Sequence, residues 1–395
     1  MSKFLFVSTY DLRRNTSGNI RTVALMNSLH DMGHEVHCLF VPTNNASDKS
    51  IFENLMKVDR IMTFPRVEIV LVPDSAEPKL NGRGSLLSGI RLWLINMYSR
   101  LSVYDVFSLP LLKLSKKDLS DLDDSYDYIV SSSEPRSSHK FAEKIIALKH
   151  YKAKWVLYWG DPMSNDVASN KLFGIREGKE ERRLISISDF SVYTNPCAVS
   201  YMKDRYPNLA EKISWIPTTD FKKHNNNTEQ GELTRVGYFG DYRQMYRNIY
   251  PFYEACLENS FSTVIIGGGD IELLPKGSVE VYGRMSREKV SEYEQKCGIL
   301  VVLENISKTG NCIQVPGKLY HYGLTQKYIL VVTESSNIAS EYQKYNRFVF
   351  VPNEKRKIAD AIKKIQLGHY SDMNIAPVED FQYERIANDF ISKIQ

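Results

Sequence analysis

Lys318 follows a proline and a glycine in the stretch VPGKLYHYGLTQKYILVV, residues 315–332, and His321 lies one helical turn beyond it. Pro316 and Gly317 break whatever precedes them, Leu319, Tyr322 and Gly323 fall on one helical face, and Tyr328–Val332 is apolar throughout. The stretch reads as loop, short helix and a strand covered on both faces. A helix start presents unbonded N–H groups and a partial positive charge, and a lysine placed there adds to the field, which suits an anion such as a phosphate. The plainer alternative is a solvated lysine beside a helix start.

Other residues have types that suit the same chemistry. Arg243 and Arg247 share the loop of GYFGDYRQMYRN, residues 237–248, behind Gly240. Arginine stays charged and binds two oxygens at once, so a pair of guanidiniums is well matched to a phosphate group, although two solvated loop arginines read the same way. In VIIGGGD, residues 264–270, Gly268 sits in a strand-end turn, and no G-x-G-x-x-G opens a helix there. Gly18, after Ser17, permits close approach of backbone to a ligand, and turn geometry alone also accounts for it. Glu304 ends the apolar run Ile299–Leu303 and offers a carboxylate from a neighbouring loop. Glu134 and His139 share SSSEPRSSH, and Asp161 stands in WGDPM, where capping of the Pro162 turn competes with a ligand contact.

These residues need a scaffold, and the chain writes one twice. Residues 3–40, KFLFVSTYDLRRNTSGNIRTVALMNSLHDMGHEVHCLF, read as strand, polar loop, helix, Gly33 stop and strand; residues 234–268 repeat the phrase. Further strands are expected at Val67–Val72, Tyr126–Ser131, Lys154–Trp159, Phe190–Tyr193, Val279–Val281, Ile299–Leu303, Tyr328–Val332 and Phe348–Val351. Strands alternating with helices argue for parallel sheets with right-handed crossovers and ligand loops at the C-terminal strand ends. The polar stretch 221–233 is the expected linker, giving domains at 1–221 and 222–375, with 376–395 a C-terminal helix that packs back on the first domain.

Composition narrows the function classes. A chain of 395 residues suits two cores rather than one. The net charge of +4 is too small to imply nucleic-acid binding without a localised patch. Cys38, Cys197, Cys256, Cys297 and Cys312 form no C-x-x-C pair, so reduced, packed thiols in a cytoplasm are expected. The start MSKFLFVSTYDLRRN has only a short apolar run before polar residues, which suits a first strand better than a signal peptide, and no run of about 20 uncharged apolar residues is present.

Taken in order, SGNIRTVALMNSLHDMGHEV, IVSSSEPRSSHKFAEKII, KWVLYWGDPMS, GYFGDYRQMYRN, VIIGGGD, VEVYGRMSREKVSEYEQKCGILVV and VPGKLYHYGLTQKYILVV resemble the motifs of the family 4 retaining glycosyltransferases across nearly the whole chain. The resemblance implies an α/β GT-B fold, two Rossmann-like doubly wound domains facing across a cleft, with the nucleotide-sugar donor on the second domain and the acceptor on the first. It implies sugar transfer with retention, no metal and no cofactor besides the donor, and the residue types suggest Arg243, Arg247 and Lys318 against the leaving diphosphate. His139 is placed by region near the transferred sugar, with a satisfied surface histidine as the alternative. Ser17, Gly18, Gly240, Gly268, Arg284, Glu304, Gly317 and His321 fall on the donor side, and Glu134 and Asp161 on the acceptor side.

This chain departs from that family at two places. Many relatives carry two glutamates eight positions apart, where this sequence has Ile313 and His321, and Asp241 stands where a first cation is often found. Two other classes therefore stay open: a nucleotide-sugar epimerase of the same architecture, and a non-catalytic partner subunit with a decayed donor site. Residues 82–117 carry Arg83, Arg91, Arg100, Lys113, Lys116 and Lys117 against one acid, Asp105, with Trp93, Leu94, Met97, Leu101 and Tyr104 at helical spacing. That pattern suits peripheral contact with an anionic membrane, as for a cytoplasmic enzyme using a glycan or lipid-linked acceptor in surface polysaccharide synthesis, or else a core-facing helix.

Overall fold

A computed structural model describes residues 1–14, 16–42, 56–64, 102–105, 108, 110–133, 135–165, 174–220, 230–242, 247–305 and 313–395. The expected strand Val67–Val72, the thiol of Cys312, residues 221–229 of the expected linker and most of the basic 82–117 segment lie outside them. Of that segment, Tyr104 is buried, Lys113 ends a 3-10 turn at Pro110–Lys113, and Lys116 and Lys117 open another at Lys116–Leu119.

Two compact units divide the chain: Met1–Tyr193 with Tyr206–Ser214 and Ser392–Gln395, and Thr194–Arg205 with Trp215–Ile391. The chain thus crosses between units more than once, and one helix, Pro196–Arg205, groups with the second unit although it precedes the linker.

In the first unit, β1 (Lys3–Ser8) pairs in parallel with β2 (Glu35–Phe40) on one side and β4 (Tyr128–Ser132) on the other. The full order is β3-β2-β1-β4-β5-β6-β7, where β3 is Arg60–Thr63, β5 Lys154–Trp159, β6 Phe190–Tyr193 and β7 Ile213–Trp215. Helix α1 (Ser17–Asp31) begins because the Thr16 side chain accepts the Asn19 N–H, and it ends where Gly33 takes φ +82, a region that favours glycine. Helix α2 (Ser137–Lys149) follows β4 and buries Phe141, Ala142 and Ile145.

The second unit repeats the plan. Its order is β10-β9-β8-β11-β12-β13, with β8 at Glu232–Phe239, β9 at Ser262–Ile266, β10 at Val279–Tyr282, β11 at Cys297–Leu303, β12 at Tyr328–Val332 and β13 at Phe348–Val351, all parallel. β11 and β12 are buried at every residue, as a parallel strand covered on both faces requires. One core side gathers Val236, Phe252, Ile299, Leu330 and Ile362; the other gathers Phe239, Val264, Leu300, Leu319 and Tyr342. Chain order reverses direction between β8 and β11, and open sheets of this kind bind ligands outside the strand ends at that point.

The last helix, Tyr383–Ile394, buries Ile386, Phe390 and Ile394, while Phe381 packs from the 3-10 turn before it. Cys38, Cys197, Cys256 and Cys297 are free and buried, and burial pushes each thiol up to about 12, so they pack as small apolar side chains. Among the described residues no helix is long and apolar enough to cross a membrane.

Candidate functional site

At the reversal point of the second sheet, backbone from two strand ends comes together first. The Gly240 N–H donates to the Ile266 carbonyl at 2.8 Å, and a Cβ on Gly267 would lie 1.9 Å from the Gly240 carbonyl oxygen. Only glycine fits there. The Gly268 N–H then reaches back to Asp241 Oδ1 at 3.0 Å, and the Tyr238 hydroxyl donates to the Asp241 carbonyl at 2.9 Å.

Three cations from separate parts of the second unit meet the Gly240–Asp241 segment: two from loops and one from a helix. Arg247 donates from Nη1 to the Asp241 carbonyl at 3.2 Å and from Nε to Asn305 Oδ1 at 2.8 Å, which ties the β8 loop to the β11 loop. Asn305 in turn donates to Gln314 Oε1 at 3.0 Å. Arg284, after β10, grips the Asp241 carboxylate with both Nε, at 3.0 Å, and Nη2. Lys318, second residue of the short helix α7 (Gly317–Gly323), the seventh described α-helix in chain order, brings its ammonium against Gly240: a Cβ on that glycine would be 2.4 Å from Nζ.

Charge and burial shape the site. Burial pushes the Lys318 ammonium down to about 8; Glu294 and Asp241 oppose the shift, and the nearby Arg247 and Arg287 add to it. Neither a hydrogen bond nor an ion pair joins Lys318 to another described residue. Burial works to raise the Asp241 carboxyl, but the Arg284 bonds, the Gly268 N–H and the Lys318 charge outweigh it and hold it below the usual range. Among the described residues, Lys318, Arg247 and Arg284 thus outnumber the one carboxylate, Asp241, that sits directly between them.

His321, one turn along α7, lies between two acids. Its Nδ1 is 3.5 Å from Asp220 Oδ2 and its Nε2 3.8 Å from Glu294 Oε2. Arg287 Nη2 reaches both Asp220 oxygens at 3.5 Å, and the Tyr322 hydroxyl donates to Glu294 Oε1 at 3.3 Å. Burial acts to raise Glu294, yet its bond to His321 and the charges of Arg287 and Lys318 keep it below its ordinary value. A carboxylate pair thus frames the histidine that stands where relatives of the resembled family carry a glutamate, while Ile313 is simply packed in the core.

No protein-family model and no curated protein matches this sequence. Solved structures do resemble the chain. HepE from Anabaena, in complex with UDP and glucose, aligns with a TM-score of 0.62 at 10% identity over 100% of this chain and 99% of its own. Sucrose-phosphate synthase from Thermosynechococcus elongatus gives 0.64 at 12% identity over 99% and 98%. A UDP-GlcNAc 2-epimerase from Neisseria meningitidis bound to UDP-GlcNAc gives 0.54 at 11% identity over 99% and 98%. The chain has the GT-B fold.

Within this GT-B chain the expected donor-side residues fall as follows. Gly240, Gly268, Arg247, Arg284 and Lys318 are brought together, with His321 one turn away on the Lys318 helix. Gly317 is the exposed first residue of α7. Glu304 turns elsewhere: its Oε2 accepts the N–H groups of Glu334 at 3.0 Å and Ser335 at 3.3 Å and the Thr333 hydroxyl, which fastens the loop after β12. Arg243 lies outside the described residues.

In the first unit, Ser17 is exposed at the start of α1, and buried Gly18 accepts the Thr22 hydroxyl at 2.9 Å. Asp161 is half-buried directly after β5 and Gly160. Glu134 lies outside the described residues. His139 is not at the surface: it is fully buried on α2, its ring tilted against Trp159 with centroids 4.0 Å apart. Its Nδ1 is 2.8 Å from Ser131 Oγ, its Nε2 has no partner among the described residues, and burial pushes its pKa down to about 3.

The reading of the sequence missed Asp220, Arg287, Glu294, Asn305 and Gln314. Arg287 and Glu294 are seven residues apart on helix Arg287–Lys296, two turns on one face, which is a usable signal. Asp220 carries none, because its partner His321 is distant in sequence. The acids Glu35 and Asp123 with His37 form a cluster whose ligand atoms lie within 4.8 Å of one another. Lys3 pairs with both acids and Arg60 with Asp123, which accounts for their charge without an ion.

Proposed function

We propose that the second unit binds the diphosphate of a nucleotide sugar and that the protein is a glycosyltransferase of family 4 type. The observation that carries this reading is the Lys318 ammonium, lodged against Gly240 with no ion pair to another described residue, beside Arg247 and Arg284. In the transfer, the bond from sugar C1 to the diphosphate oxygen breaks and its electron pair leaves on phosphate, while an acceptor hydroxyl oxygen bonds C1 and gives up its proton. Cations fixed beforehand around the departing phosphate favour that charge build-up. HepE, which shares the fold, is held with UDP and glucose in its crystal structure, and this supports a nucleotide-sugar donor. Retention, metal independence and an acceptor side built on the first unit, with a glycan or lipid-linked acceptor of surface polysaccharide, complete the proposal.

Calorimetric titration with UDP, GDP, ADP and TDP tests the donor site; a chain that binds none of them has no such site and joins the decayed-subunit class. The second reading is an epimerase, favoured by the fold shared with UDP-GlcNAc 2-epimerase. Incubation with nucleotide sugars in deuterated water separates the two. Deuterium at sugar C2 without any acceptor marks an epimerase, whereas acceptor-dependent release of nucleoside diphosphate marks a transferase.

A further inference from the structure

The Asp241 carboxylate occupies donors of the kind that phosphate oxygens use. Its Oδ1 takes the Gly268 N–H at 3.0 Å and Arg284 Nε at 3.0 Å, and its Oδ2 takes Arg284 Nη2. A backbone N–H in a glycine turn together with both arms of a guanidinium is how proteins hold a phosphate or a carboxylate. Gly268 is part of this seat, since a Cβ there would lie 3.1 Å from Arg284 Nε and 3.4 Å from Asp241 Oδ1.

We infer that Asp241 is an internal anion: it holds the Gly268 and Arg284 donors in the free protein and is displaced from them when a ligand's phosphate arrives, so that it sets how much anionic charge a ligand needs in order to bind. The inference rests on the proposed diphosphate site and deepens it.

Exposure, neighbouring cations and like-charge repulsion argue for displacement over a permanent strut. The pair is open to solvent, with the Arg284 side chain 66% and the Asp241 side chain 41% exposed, so a ligand can reach it. Solvent and salt screen a pair this exposed, so parting it costs less than parting a buried one. Lys318 and Arg247 flank the same peptide and remain to hold the rest of a polyanion. A carboxylate kept within this group also opposes any incoming anion by like charge.

Titration of wild type and Asp241→Asn with UDP, with inorganic pyrophosphate and with uridine tests this. Affinity for UDP and pyrophosphate should rise by about 10-fold in Asp241→Asn, the scale of one removed like charge near a charge-assisted contact, with a steeper fall on adding salt, while uridine is unaffected. In an Arg284→Ala background the same substitution should give a smaller gain, because the contested donor is gone. A fall in affinity in Asp241→Asn would show that the carboxylate positions Arg284 for the ligand, and unchanged affinity would show that it does not compete; either overturns the inference. Asp241→Ser provides the same reading should the asparagine variant fail to fold. Pyrophosphate separates the two levels: a chain that binds pyrophosphate but no nucleotide loses the proposed function and keeps this contact under test.

Discussion

The Lys318 ammonium fills the space beside Gly240 that a side chain at position 240 would take, 2.4 Å from where its Cβ would lie. Helix α7 and the end of β8 therefore share one charged point, and the strongest expectations for the protein concern that point.

Binding of a nucleoside diphosphate should take up protons near pH 8. Burial has pushed Lys318 down to about 8 in the free protein, so part of the population is neutral there, and a bound anion favours the charged form. Affinity should fall as pH rises through about 8. Titration calorimetry at pH 8 in buffers of different ionisation heat reads the uptake directly; equal enthalpies in all buffers would place Lys318 away from the ligand. Lys318→Arg should flatten the pH dependence.

Lys318→Ala should weaken nucleoside-diphosphate binding by about 1.5–3 kcal/mol, the range of a charge-assisted hydrogen bond, with little change in folding. Arg247→Ala should reduce kcat more than it weakens donor binding if charge builds on the leaving phosphate. Steady-state kinetics with the best donor checks both, and an equal loss in kcat and binding marks Arg247 as a ground-state binder.

Gly267→Ala should destabilise the second unit by at least about 2 kcal/mol, because its Cβ would meet a backbone carbonyl, which cannot swing away as a side chain can. Gly317→Ala, where nothing lies within 4 Å of the added carbon, is the control. Urea denaturation of both variants gives the comparison, and equal midpoints would contradict the close approach of β8 and β9.

Stability should fall on acidification through His139. Its folded pKa is about 3 against an ordinary 6.5, so the unfolded chain takes a proton that the folded chain refuses. Above pH 6.5 neither state is protonated and nothing is lost; below it the loss grows by up to about 1.4 kcal/mol per pH unit until about pH 3. His139→Asn should show a shallower fall between pH 7 and pH 5 by chemical denaturation. Parallel slopes would mean that His139 titrates in the folded chain.

Arg347→Met should leave the protein as stable or up to about 3 kcal/mol more stable, since a buried cation replaced by an apolar side chain no longer has to shed water. Arg347 is 1% exposed, donates from Nη2 to the Thr325 carbonyl at 2.6 Å, and its Nε and Nη1 have no partner among the described residues. A clear drop in thermal midpoint for this variant would reveal an anion or water network that the arginine serves.

Local order was legible in the chain itself. Strands Lys154–Trp159, Phe190–Tyr193, Tyr328–Val332 and Phe348–Val351 coincide with the apolar runs that announced them, and Gly33 closes α1 where its left-handed φ demands glycine. Alternation of these runs with helical faces was enough for a doubly wound α/β plan, because strand burial and helix amphipathicity are set by residues near one another in sequence. Gly240, Gly268, Arg247 and Lys318 could be marked as a group because their motifs resemble those of the family 4 glycosyltransferases, and loops at strand ends are where such a plan puts ligands. Which partner each side chain takes was decided elsewhere. The Asp241–Arg284 and Arg247–Asn305 contacts, the Asp220–His321–Glu294 arrangement, the turn of Glu304 toward the β12 loop and the burial of His139 all join segments far apart in the chain. They exist because strand order reverses between β8 and β11 and because α2 packs one particular face inward, and no local pattern of residues encodes either distance.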